Sequence, residues 1–173
     1  MKQNLWNTYC YYIKSKYYFQ IYRKRANTIE KTMSIILALI SSASVASWAI
    51  WNQWAVAWAV IIGGSTLLNI IKSQLPYEKR ISAMDYMLPK LINLISEMEN
   101  YYNSLVIKEE KSITKAQINY DLKEFEKTYN DLRNTFALKN IPEPWSKKIS
   151  DKAEKLAEEE INRKYNYIRY NFI

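Results

Sequence analysis

Histidine is absent from this chain of 173 residues, and cysteine occurs once, at Cys10. There is therefore no imidazole base, and one thiol can build neither a Cys/His zinc set nor an intrachain disulfide. A single thiol fits a reducing compartment. Glycine is almost as scarce. The only two, Gly63 and Gly64, are adjacent inside an apolar run, so a glycine-rich phosphate loop is excluded. Carboxylate pairs such as Glu97/Glu99 and Glu109/Glu110 fall on lysine-rich helical sequence and read as ordinary surface charge. No catalytic, cofactor-binding or metal-ligating residue emerges, and the expectation is a protein that is not an enzyme. Strand alternation is also missing, which points to an all-α fold.

Charge is missing locally as well. From Thr32 to Ile71 no side chain is charged, although the whole chain has 25 Lys and Arg and 17 Asp and Glu. As one helix this run would measure roughly 60 Å, twice the ~30 Å hydrocarbon core of a bilayer. Two spans fit where one does not. The most polar point is central, Asn52-Gln53, flanked by Trp51 and Trp54. The expected spans are about 33–51 and 54–71, within a transmembrane hairpin over 32–72. Trp48, Trp51, Trp54 and Trp58 then gather at one membrane face, where indoles favour the headgroup level. A cleaved signal peptide is not expected, because the run is too long and follows 31 residues of helical sequence.

The net charge of +8 has a location: residues 1–32 hold seven basic side chains against one acid, and residues 72–173 hold eighteen against sixteen. Arg23, Lys24, Arg25 and Lys31 precede the first span, and Lys72, Lys79 and Arg80 follow the second. The positive-inside bias puts both termini of a multi-pass membrane protein in the cytoplasm, with those cations and the tryptophans as lipid anchors. The aromatic and basic run Tyr22-Arg23-Lys24-Arg25 resembles a single-strand binder's, but topology alone accounts for it. A nucleic-acid polymer is not an expected partner; membrane lipid is.

Outside the spans the chain reads as helix. Residues 1–31 lack Gly and Pro, and carry Trp6, Tyr9, Tyr12, Tyr17, Phe19 and Tyr22. They suit an N-terminal amphipathic helix on anionic headgroups, or equally a helix packed on the other cytoplasmic helices. Residues 73–140 form a coiled-coil-like helical hairpin. Its first helix, about 77–105, repeats Ile81, Met84, Leu88, Leu91, Ile95 and Met98 at alternating spacings of three and four. Such a seam demands a partner, either the second helix (about 114–137) or other subunits in a homo-oligomer. Pro89 is expected to bend that first helix. Residues 141–173 comprise a Pro-punctuated linker and a final helix from about Ser146 to Tyr170.

The spans themselves carry small residues at four-residue spacing, Ser34, Ala38, Ser42 and Ala46 in one and Ala55, Ala59 and Gly63 in the other. Such stripes let helices approach closely in lipid. Ser41 and Ser42 fall at the depth of Gly64 and Gly63, and Ser65, Thr66 and Asn69 share a face nearer the cytoplasm. Two uses fit these residues: helix packing, or the wall of a polar path between assembled subunits.

A helix ending in Tyr22-Arg23-Lys24-Arg25-Ala26, a tight two-span hairpin, a Tyr77-x-x-Arg80 opening and long cytoplasmic helices resemble the SLATT family of bacterial two-transmembrane effectors. The resemblance covers most of the chain and implies an oligomeric anti-phage effector that breaches the inner membrane, killing or arresting the infected cell. It also implies a trigger, either a nucleotide second messenger or a neighbouring sensor or cyclase protein. No sensor module is recognisable in this chain. A membrane-anchored scaffold for cytosolic partners and a small holin-like or transport subunit are the alternatives.

Overall fold

The computed structural model describes residues 2–47, 55–75, 77–107 and 114–171, with side chains omitted at 2, 41–47, 55, 57–59, 106–107 and 166–171. Among these residues the chain is all-helical: α1 (Lys2–Ser47), α2 (Ala55–Gln74), α3 (Tyr77–Ile107), α4 (Lys115–Leu138) and α5 (Lys147–Asn171). Where separate elements were expected over 1–31 and 33–51, α1 is one continuous helix of 46 residues. Nothing interrupts it, because this stretch contains neither the proline that would break the hydrogen-bond ladder nor a glycine that would loosen it.

The N-terminal half of α1 forms a four-helix bundle with α3, α4 and α5. Contacts along α1 fix the directions of its neighbours. Tyr22 and Trp6 meet Arg80 and Tyr102, so α3 runs opposite to α1. Tyr12 stacks on Tyr129 at 4.4 Å and Phe19 on Phe136 at 5.8 Å, so α4 runs parallel to it. Lys14 pairs with Glu154, and Trp6 meets Tyr165 edge-on at 4.7 Å, so α5 again runs opposite. The arrangement is up-down-up-down, in which each helix hides one apolar stripe.

Two expectations change here. Leu5, Tyr9, Tyr12, Ile13 and Phe19 are buried in the bundle. The N-terminal helix therefore does not lay its aromatic face on headgroups; of its two expected roles, packing against the other helices is the one seen. The rings find aromatic partners there, Tyr12 on Tyr129 and Phe19 on Phe136. The seam of α3 is likewise occupied from within the chain. Met84, Leu88, Leu91, Ile95 and Met98 are at most 7% exposed, and Ile81 is half-buried. In this fold the seam is the intramolecular core and offers no surface to a second subunit. Pro89 lies inside α3, which continues through it.

The ends of α4 are set by local chemistry. The Thr114 hydroxyl accepts from the Gln117 N–H at 3.2 Å, capping the first turn. At the other end Asn140 adopts φ 51°. Its N–H donates to the Ala137 carbonyl at 2.9 Å, and the Ile141 N–H donates to the Phe136 carbonyl at 3.0 Å. This is a Schellman stop with asparagine in the left-handed position, and the buried Phe136 and Ile141 supply its usual apolar contact.

Candidate functional site

Beyond the bundle, the C-terminal half of α1 and the whole of α2 pair as an arm. Most of the large exposed apolar side chains of the described residues lie on it, including Ile35 (60% exposed), Leu39 (63%), Val56 (80%), Val60 (70%) and Leu67 (62%). Soluble surfaces rarely gather such a patch without covering it. The exposure follows from composition, since two helices apolar all round can hide only their mutual contact from solvent.

A polar cluster closes the base of the arm. Lys72, in the last turn of α2, donates to the Ser34 hydroxyl at 2.7 Å and lies 3.4 Å from the Glu30 carboxylate. Ser34 in turn donates to Glu30 at 3.0 Å. The two ions are partly buried, with side-chain exposures of 29% and 21%. Each sits at the polar margin of the charge-free run. Lys72 also meets the negative end of its own helix dipole. A cavity of about 420 Å³ opens beside the cluster, lined by Glu30, Met33, Asn69, Lys72, Tyr77 and Lys79 among others. Glu30 was not singled out from sequence. Its signal was its position as the single acid before the apolar run, opposite the first lysine after it.

The other residues of interest on the arm divide by surroundings. Ser65 and Thr66 donate to the Ile62 carbonyl at 2.7 and 3.0 Å, so their own helix satisfies both hydroxyls. Among the described residues, a Cβ built on Gly63 or Gly64 would meet no atom within 4 Å; Gly63 is exposed and Gly64 half-buried. Ala38 and Asn69 are exposed. The side chains of Ser41, Ser42 and Trp58, and the residues Trp48, Trp51 and Trp54, lie outside the described residues. Of the basic residues, Arg23 pairs with Asp85, while Lys24, Arg25 and Lys31 are exposed.

A second concavity lies on the bundle. Between α4 and α5, floored by α1, a groove of about 340 Å³ is lined by Tyr11, Ser15, Tyr18, Tyr129, Arg133 and Trp145, among others. Arg133 grips Glu143 through two hydrogen bonds, at 3.1 and 2.5 Å, which hold its guanidinium above its usual pKa. Tyr129 donates to Ser15 at 2.8 Å, and burial pushes its phenol well above the ordinary tyrosine range. Tyr9 and Tyr12 are raised by burial too. These phenols stay protonated at neutral pH; Tyr129 acts as a hydrogen-bonding group, whereas Tyr9 and Tyr12 act as packing groups whose buried hydroxyls have no hydrogen-bond partner among the described residues.

Fold and site together define a helical bundle carrying an apolar two-helix arm. No protein-family model, curated protein or solved structure matches the chain. Among the described residues, no helix is long and apolar enough to cross a membrane.

Proposed function

We propose that the arm is a two-span membrane hairpin and that the chain is an oligomeric effector that permeabilises the bacterial inner membrane in anti-phage defence. The carrying observation is the outward display of Ile35, Leu39, Val56, Val60 and Leu67 around the arm, on a segment with no charged side chain from Thr32 to Ile71. Lipid is the solvent that suits such a surface, and Lys31 and Lys72 bracket it where headgroups begin. Both ends, and the bundle, then lie in the cytoplasm.

Because the α3 seam is consumed inside the bundle, assembly on this reading runs through the arms. The face at Gly63 and Gly64 supports this, since among the described residues no atom lies within 4 Å of where a Cβ would stand, leaving a backbone free to approach. Asn69 and the hydroxyl-bearing face beside it would line the permeable path between subunits. The trigger is a nucleotide signal or a partner sensor acting on the bundle. Inducible expression with a membrane-potential dye, alongside the genomic neighbours, tests the proposal. Depolarisation on activation is expected, and an undisturbed potential in activated cells overturns it.

The groove on the bundle favours a second reading, a membrane-anchored scaffold that recruits cytosolic partners. Exchanging the arm for an unrelated two-span anchor separates the two: a scaffold keeps working and a pore does not.

A further inference from the structure

We propose that the turn between α4 and α5 is a second membrane contact, docking the bundle onto the anionic surface of the leaflet that the arm enters. This rests on the membrane reading of the arm. Two of the most exposed large apolar side chains outside the arm flank this turn, Leu138 at 83% and Trp145 at 77%. Lys147 and Lys148 follow directly and are exposed; neither has an ion pair among the described residues. An aliphatic, an indole and two lysines on one rigid turn match the layered chemistry of an anionic interface, with ammonium groups at the phosphates and apolar groups just beneath.

The fold puts this turn at the arm's end of the bundle. Phe136 stacks on Phe19, Tyr18 donates to the Pro144 carbonyl at 2.8 Å, and Lys139 donates to Ser82 at 2.8 Å. The turn is therefore level with about Tyr18–Tyr22 of α1, which runs on without a break into the arm. From that level to Lys31 is roughly ten residues, or about 15 Å along the helix. The headgroup layer covers about 5–8 Å of this distance. An arm tilted toward the turn by roughly 30–40°, within the observed range for membrane helices, lowers the turn by the remainder. The Schellman stop at Asn140 and the hydrogen bond to Pro144 hold the turn rigid, so little ordering entropy opposes docking.

The test uses the full chain with Cys10→Ala, reconstituted into vesicles of mixed anionic and neutral lipid containing headgroup nitroxides. A fluorophore is attached through Pro142→Cys, with Val60→Cys as the arm reference and Lys115→Cys as the distal reference. The label at 142 is expected to be quenched several-fold more than the label at 115. Leu138→Ser with Trp145→Ser should bring it down to the distal level. Lys147→Glu with Lys148→Glu should lower the docking equilibrium constant by roughly twenty-five-fold or more, at about fivefold per lysine lost on an anionic surface. All four side chains are exposed, so folding is not at stake. Strong quenching at 60 with only distal-level quenching at 142 overturns the second contact and leaves the arm in lipid. No quenching at 60 overturns the membrane reading of the arm, and this proposal with it. A label at 142 shielded from aqueous iodide yet unquenched by lipid assigns the turn to a protein partner and also overturns the proposal.

Discussion

Replacing Val60 by aspartate separates a water-facing arm from a lipid-facing one. Val60 is 70% exposed. In water the change touches little, and surface substitutions of this kind alter stability by about 0.5 kcal/mol or less. In a bilayer Val60 lies within about one helical turn of the middle of α2, where aspartate costs about 2.5–3.5 kcal/mol and valine contributes about 0.3–0.6 kcal/mol. The difference is about 3–4 kcal/mol, or two to three orders of magnitude in the insertion equilibrium. Insertion of the full chain can be read with glycosylation reporters in microsomes. Ile92→Asp, at a 43% exposed position on the bundle, is the matched control. Val60→Asp should lose most of its integrated fraction and Ile92→Asp should lose none. Equal insertion of Val60→Asp and wild type would refute the reasoning, as would a wild-type chain monodisperse in the supernatant without detergent.

Gly63→Leu should leave insertion and bundle stability unchanged, because among the described residues nothing lies within 4 Å of the added Cβ; loss of depolarising activity in the dye assay would locate the face between subunits. Leu91→Ala, at a fully buried position on α3, should destabilise the bundle by about 2–5 kcal/mol in denaturant unfolding followed by circular dichroism. The stability of the bundle should also depend on Glu160. Burial alone would raise its pKa, but hydrogen bonds from Lys16, at 2.5 Å, and Tyr17 outweigh that and hold it below 4.5. A carboxylate depressed in the fold contributes stability above its unfolded pKa and loses it as pH falls through the folded value. Unfolding midpoints should therefore fall below about pH 4.5, and Glu160→Gln should flatten that slope.

The helical class, and the limits of α3, α4 and α5 to within about two residues, could be read from local signals. The three-four alternation from Ile81 to Met98 marked α3. The second helix was expected from about 114, and the prolines at 142 and 144 marked the gap before α5. These are effects of neighbours in sequence, so local order carries them. The charge-free run from Thr32 to Ile71 was equally legible, because it is a property of composition. What the sequence left open was the partner of each apolar face. The aromatic face of α1 could have met lipid or helices, and the α3 seam could have met another subunit. Only the packing of α1 against α3, α4 and α5 decided both, since burial depends on which stripes meet in space and several pairings satisfy the same pattern. The pairing of Glu30 with Lys72 has the same origin: residues at opposite ends of an apolar run become neighbours only when the chain folds back on itself.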